Sequence, residues 1–194
     1  MLRLLYTLLC CSLLAVQAVA AQTDYAKHIA SLIDPAKLAT LGKRGANPRI
    51  QKAVYWLDVA RKTGEKPANV LDRAAASAGY TGAATKLTKD ALLRNLDIAD
   101  KLGCLNDAGL AEMRRGKAST VMKGPYKGDQ LSVDHIIPRA VVPELDNVIA
   151  NLELLPLRMN ESKNAKIGDR QRDFAKKFYQ AGLLSKKGLE AVLR

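Results

Sequence analysis

The sequence predicts an α+β protein that is mainly helical, with an N-terminal helical bundle packed on a small two-stranded unit near the C-terminus. Three observations lead to this fold class. Residues 22–120 repeat apolar side chains three or four positions apart, which is typical of amphipathic helices. Residues 131–156 carry two short apolar runs, the first of them β-branched, separated by a polar loop, which is typical of paired strands. Residues 167–194 return to the helical pattern.

Residues 1–21 have the features of a signal peptide. Arg3 supplies a positive start, residues 4–16 form an apolar run, and Ala18-Val19-Ala20 matches the small-residue pattern of a cleavage site. The run is shorter than the roughly 20 residues that span a bilayer, so cleavage is favoured over a retained membrane anchor. We therefore expect an exported protein, periplasmic or extracellular, with no stable membrane insertion after cleavage.

The helical region, residues 22–118, contains four predicted helices whose ends are signalled by caps, prolines and glycines. These signals are Asn47-Pro48 as cap and first turn of one helix, Pro67 at the start of the next, Thr88 as the cap and Gly103 as the stop of a third, and Asn106 at the start of a short fourth. Cys104 is the only cysteine after the signal peptide and has no CxxC partner, so we expect a packing role for it.

The chain is basic, with 31 Lys and Arg against 19 Asp and Glu and a formal net charge of +12. Such a charge suits a nucleic acid, because each phosphate that is neutralised releases counterions. It equally suits an anionic membrane surface. Residues 114–127 carry five positive charges and no acid, and they are either a solvated linker or an approach surface for a phosphate backbone.

Residues 131–166 hold the polar groups that point to a function. Asp134-His135 ends the first apolar run, Asn151-Leu152 opens the second, and Asn160 is followed three residues later by Lys163. From Arg158 onward the pattern reads as the start of a helix. The connection between the runs is too long for a tight turn, so we expect an antiparallel hairpin with a loop. Pro138 can end the first strand soon after His135.

In this order, and with these element types between them, the motifs resemble the HNH endonuclease family, whose site is the ββα-metal finger. The resemblance covers residues 131–166 of the 194. Three features depart from the family pattern. The third motif residue is Asn160 instead of His, residues 141–144 replace the Gly-Gly often found in the first loop, and there are no zinc-binding Cys pairs. Without zinc, the hairpin needs another brace, for which the N-terminal helices are the candidates.

With the resemblance added to the signal-peptide and helix patterns, the predicted organisation is a signal peptide at 1–21, a helical region at 22–118, an HNH finger at 119–168 and C-terminal helices at 169–194. It also implies roles for individual residues: His135 as general base, Asn151 as the brace of the loop that aims His135, Asp134 and Asn160 as metal ligands, and Arg139, Lys163 and Lys166 as phosphate-binding groups. Lys163 and Lys166 would lie one turn apart if the segment is helical. The implied cofactor is a divalent ion, Mg²⁺ first and Mn²⁺ as the alternative.

Elementary chemistry supports these roles. An imidazole accepts a proton near neutral pH, and a hard divalent ion stabilises charge on the phosphate and the leaving oxygen. Mg²⁺ needs only one or two protein carboxylates, which Asp134 with Asn160 would satisfy. Adjacent strand residues point to opposite faces, however, so Asp134 and His135 can serve one site only if the strand bends or ends there.

The expected activity is therefore hydrolysis of phosphodiester bonds by a metal-dependent endonuclease with little sequence specificity, with DNA favoured over RNA as partner. The first alternative is a non-catalytic, secreted nucleic-acid-binding protein on the same scaffold. The second is an exported protein that uses its positive charge to bind anionic lipid. The sequence leaves the oligomeric state open.

Overall fold

The structure, a computed structural model, describes residues 23–163 and 165–194. Helices make up 59% and strands 7% of it, so the prediction of a mainly helical α+β protein is confirmed. The predicted signal peptide lies outside the described residues. The helices and strands, in chain order, are α1 Tyr25–Ile33, α2 Pro35–Ala39, α3 Asn47–Lys62, α4 Pro67–Ser77, α5 Gly82–Lys101, α6 Asp107–Arg114, β1 Leu131–His135, β2 Leu152–Pro156, α7 Leu157–Ser162, α8 Asp169–Gln180 and α9 Lys186–Leu193.

The N-terminal helices bury the apolar stripes that define them in the sequence. The buried positions of α3 include five of these residues: Ile50, Ala53, Val54, Leu57 and Ala60. Cys104 packs among them, and burial raises the pKa of its thiol, as expected for an unreactive packing residue. Among residues 23–163 and 165–194, no helix is both long and apolar enough to cross a membrane.

Two of the predicted helix caps are wrong. Asn47 is already the first residue of α3, and Ala46 occupies the N-cap without a side-chain bond. Thr88 lies inside α5, which begins at Gly82, and its side chain is buried. The helix extends past Thr88 because residues 83–87 contain two alanines, a lysine and a leucine, which favour helix.

Strands β1 and β2 form the predicted antiparallel pair. The register runs from Leu131 opposite Pro156 to His135 opposite Leu152 without a bulge. The connection contains two 3₁₀ turns, Pro143–Leu145 and Ile149–Asn151. Its apolar side chains pack with those of α8 and α9 in a second core cluster, separate from that of the bundle.

Helices α3 and α5 close the two outer edges of this small sheet with side-chain amides. Asn95 of α5 donates from Nδ2 to the Leu152 carbonyl (3.0 Å) and accepts at Oδ1 from the Leu154 N–H (2.7 Å). Gln51 of α3 donates to the Leu131 carbonyl at 2.7 Å. Both amide residues are buried. A two-stranded sheet is marginal in water by itself, so the helices supply the hydrogen bonds that its edges lack.

Candidate functional site

Asp134 and Asn160 lie on the same face of the sheet. The Lys163 ammonium donates to Asp134 Oδ2 at 2.5 Å and to the His135 carbonyl at 3.1 Å. Asn160, on α7, donates from Nδ2 to Ser132 Oγ at 3.0 Å. Ser132 and Asp134 are two positions apart on β1 and therefore share a face. The helix that follows the hairpin thus brings Asn160 to the face that carries the Asp134 carboxylate.

Glu153 belongs to the same face but was not identified from the sequence. It lies directly opposite Asp134 in the strand register and is 3% exposed. The Arg170 guanidinium donates to both of its oxygens, at 2.9 and 2.6 Å, and this bidentate bond raises the pKa of Arg170. Arg94 Nε lies 3.8 Å and Lys163 Nζ 3.9 Å from the Glu153 carboxylate. Burial lowers the pKa of the Arg94 guanidinium. This face therefore combines two carboxylates with three cations.

The His135 ring lies on the opposite face, because the regular register continues through both Asp134 and His135. Its Nε2 is 2.9 Å from Asp146 Oδ1 and 3.0 Å from the Asp146 carbonyl. Both of these atoms are acceptors, so we assign the ring proton to Nε2 and the lone pair to Nδ1. Within the part of the chain that the structure describes, Nδ1 has no hydrogen-bond partner. His135 is the last residue of β1, so the strand ends where the two side chains diverge.

Asn151 connects the two ends of the loop that follows His135. Its Oδ1 accepts from the Ile137 N–H at 2.8 Å, and its Nδ2 donates to the carbonyls of Ile137 (3.1 Å) and Leu145 (3.3 Å). The side chain is fully buried. Leu145 directly precedes Asp146, the partner of the histidine ring, so the Asn151 amide holds the backbone on both sides of that contact.

The three residues predicted to bind phosphate are not grouped together by direct contacts. Arg139 Nε lies 3.9 Å from Asp146 Oδ1, on the histidine side. Lys163 is bonded to Asp134, and Lys166 is exposed. Helix α7 ends at Ser162, so the segment from Lys163 to Lys166 does not continue the helix that would have placed these two residues one turn apart. Lys163, at the C-cap of α7, has an extended backbone.

Two oxygen donors on the Asp134 face, the Asp134 carboxylate and the Asn160 amide oxygen, are of the kind that a hard divalent ion prefers. The Asn160 amide uses its nitrogen in the bond to Ser132, which leaves its oxygen, the atom that binds metals, outside that bond. Among the described residues, no three His, Cys, Asp or Glu side chains are grouped so that they could hold a metal. One carboxylate and one amide oxygen suffice for Mg²⁺, which keeps most of its ligands as water and phosphate oxygens.

A cavity of about 680 Å³ lies beside Asp146 and Arg139. Helix α2, the start of α5 and the turn 181–183 that follows α8 contribute to its other walls, with apolar side chains such as Leu38 and Leu183. Asp134 and Asn160 do not line it. The cavity therefore adjoins the partner of the histidine ring, and the candidate metal ligands lie elsewhere, on the sheet face that carries Lys163.

The order of β1, β2 and α7 along the chain is strand, strand and helix, with the motif residues at the ends of these elements. Asp134 and His135 end β1, Asn151 precedes β2, and Asn160 lies in α7. Comparisons of the chain with protein-family models, with curated proteins and with solved structures found no match. The likeness to the HNH family therefore rests on the motif residues and their arrangement.

Proposed function

We propose that the protein is a metal-dependent endonuclease of the HNH type, which hydrolyses phosphodiester bonds of DNA with little sequence specificity. One observation carries the proposal. His135, whose Nδ1 has no hydrogen-bond partner among the described residues, ends β1, and the residue before it, Asp134, shares a sheet face with Asn160 of α7. A general base and two oxygen ligands for a metal are the minimum set that this chemistry requires.

In this proposal, His135 takes a proton from the attacking water at Nδ1 while Nε2 keeps its bond to Asp146. Asp134 and Asn160 hold the divalent ion. Mg²⁺ or Mn²⁺, when bound, would stabilise negative charge on the phosphate and on the leaving oxygen. Asn151 keeps the loop, and with it the ring of His135, in place. By resemblance to the family, the products carry 5′-phosphate and 3′-hydroxyl ends.

The distribution of charge supports a polyanionic substrate. All five basic residues of the segment 114–127 are exposed: Arg114, Arg115, Lys117, Lys123 and Lys127. The end of this segment is ordered by backbone bonds, such as that from the Val121 N–H to the Asp129 carbonyl at 2.8 Å, and it leads directly into β1. Contacts to phosphates carry no sequence information, so little sequence preference is expected.

The test is cleavage of supercoiled plasmid with Mg²⁺ or Mn²⁺, with and without a chelator. His135→Ala should slow cleavage by about 100-fold or more, because a general base contributes at least that factor. The chain has only one other histidine, His28, which is exposed and stacked on Trp56 with ring centroids 4.2 Å apart. His28→Ala is therefore the matched control and should cut at the parent rate. Equal rates for His135→Ala and the parent would exclude the assigned mechanism.

One observation favours a second candidate, a non-catalytic nucleic-acid-binding protein on the same scaffold. The bond between the Lys163 ammonium and Asp134 Oδ2 is an ion pair that satisfies the carboxylate without a metal. The same plasmid experiment separates the two candidates. Retention of the plasmid without cleavage in Mg²⁺ or Mn²⁺ would favour the binding protein, and cleavage that the chelator abolishes would favour the nuclease.

A further inference from the structure

We infer that Asp146 is the positioning residue of His135, and that the loop at residues 41–46 of the helical region fixes Asp146 in that role. The catalytic meaning of this inference rests on the proposed function. Asp146 is separated from His135 by a loop, and from residue 44 by 102 positions. The arrangement therefore arises only from the fold.

Asp146 contacts the ring through two different atoms. Its carboxylate and its carbonyl both accept from His135 Nε2, at 2.9 and 3.0 Å, and both residues are buried. This pair of acceptors holds the proton on Nε2 and orients the ring, so Nδ1 is the atom left to accept a proton. When Nδ1 takes a proton from water, the ring becomes positive, and the Asp146 carboxylate 2.9 Å from Nε2 stabilises that charge.

The carboxylate is in turn held by the helical region. The Arg44 N–H donates to Asp146 Oδ2 at 3.2 Å. Arg44 has a φ of 56°, which makes it the one non-glycine residue with positive φ in the described part of the chain. A side chain in this region of backbone space is costly and persists only where surrounding contacts enforce it.

Asn147 provides those contacts. Its Nδ2 donates to the carbonyls of Leu41 (3.2 Å) and Gly42 (3.1 Å), and its Oδ1 accepts from the Ala46 N–H at 3.0 Å. With the bond from Arg44, four hydrogen bonds join two consecutive residues of the hairpin loop to the loop 41–46. Asn147 therefore holds the backbone before and after Arg44 and maintains its positive φ. In this conformation the Arg44 N–H points at the Asp146 carboxylate, which contacts the His135 ring.

The first test is spectroscopic and does not need activity. In ¹⁵N-labelled protein, His135 should give a downfield ring N–H resonance that is protected from exchange with water, assigned by its loss in His135→Ala. Asp146→Asn keeps the size and the backbone carbonyl but removes the charge, and it should move this resonance upfield. Glu144→Gln is the control, because Glu144 lies in the same loop but bonds to Ser185, and it should leave the resonance unchanged.

The second test is kinetic. Asp146→Asn should lower kcat about 10-fold or more with little change in KM, because it removes stabilisation of the charged ring and leaves substrate contacts in place. Asn147→Ala removes three of the four hydrogen bonds that join residues 146 and 147 to the loop 41–46, but it keeps the Asp146 carboxylate. It should broaden the ring N–H resonance and lower kcat, as Asp146→Asn does. Unchanged circular dichroism in both variants shows that the fold is kept.

The outcomes separate the inference from the proposed function. If the parent cuts DNA and Asp146→Asn changes neither the ring N–H resonance nor kcat, the inference is wrong. If the ring N–H resonance responds to Asp146→Asn but the parent does not cut DNA, the proposed function fails and the positioning contact stands. If both Asp146→Asn and Asn147→Ala respond as described, the role of the loop 41–46 is supported.

Discussion

The Asn151 amide holds together a loop that has little other regular structure. Its three hydrogen bonds satisfy the N–H and carbonyl of Ile137 and the carbonyl of Leu145, all inside the protein. Buried backbone groups that lose their partners cost far more than the net value of a hydrogen bond. The Asn151 side chain therefore contributes to the order of the segment that carries Asp146, together with the bonds from the loop 41–46 and the packing of Leu145 in the second core cluster.

We predict that Asn151→Ala lowers the free energy of unfolding by about 3 kcal/mol, because the buried N–H and carbonyl of Ile137 lose their partner and the Leu145 carbonyl keeps only the long bond from the Val148 N–H at 3.4 Å. Urea unfolding followed by circular dichroism measures the change. Asn106→Ala is the matched control, since Asn106 is an exposed N-cap that bonds Gly109 N at 3.0 Å. Loss of such a cap costs about 1 kcal/mol. Equal losses in the two variants would contradict the role given to Asn151.

At the scale of elements, helix α5 provides the outer edge of β2 with the hydrogen bonds that a third strand would otherwise provide. Asn95 offers an acceptor and a donor to the Leu154 N–H and the Leu152 carbonyl, which is the pairing that an adjacent strand provides. Gln51 of α3 makes one such hydrogen bond, to the Leu131 carbonyl at the edge of β1. The bracing expected of the N-terminal helices therefore acts through buried amides as well as through apolar packing.

We predict that Asn95→Leu, which keeps a similar volume, lowers the free energy of unfolding by about 2 kcal/mol or more, since it leaves two buried backbone groups of β2 without partners. The Leu154 amide should also exchange with deuterium faster than in the parent. Asp97→Ala, at an exposed position of the same helix that pairs with Lys101, should cost less than about 1 kcal/mol. A protected Leu154 amide in Asn95→Leu would show that the Asn95 contact is dispensable.

At the scale of the whole molecule, the net charge of +12 attracts anionic partners over a longer range than any individual contact does. Lys123 and Lys127 are exposed in the segment that leads into β1, on the way to the candidate site. Charge attracts DNA and anionic lipid alike, so the response to salt and to each surface has to be measured separately.

We predict that retention on DNA falls steeply as salt rises, and that the double variant Lys123→Ala with Lys127→Ala reduces the slope of log K against log salt by about 2, one for each lost phosphate contact. Lys86→Ala is the control, because Lys86 lies on α5 and pairs with Asp90. Fluorescence anisotropy with a short duplex measures the slope. Equal binding to anionic vesicles, with the same response to these substitutions, would favour the lipid-binding alternative.

Much of the fold could be predicted from local signals. The apolar stripes of α3 and α4, the cap at Asn106 and the pairing of β1 with β2 all follow from patterns that a few neighbouring residues carry. The failures at Asn47 and Thr88 have different causes. At Thr88 the preceding residues 83–87 also favour the helical backbone, so the helix begins earlier, and at Asn47 the boundary differs from the prediction by a single position.

The sequence by itself determined the kinds of elements, their order and the motif residues at their ends, because periodicity and capping act over a few positions. Only the tertiary structure decided which partners those residues have. Glu153 lies inside an apolar run, and Asp146 meets Arg44 from 102 positions away, so neither contact leaves a local pattern. The physical reason is that hydrogen bonds and ion pairs depend on the distance between two groups in space. When the fold closes a long loop, this distance cannot be read from the spacing of the two residues along the chain.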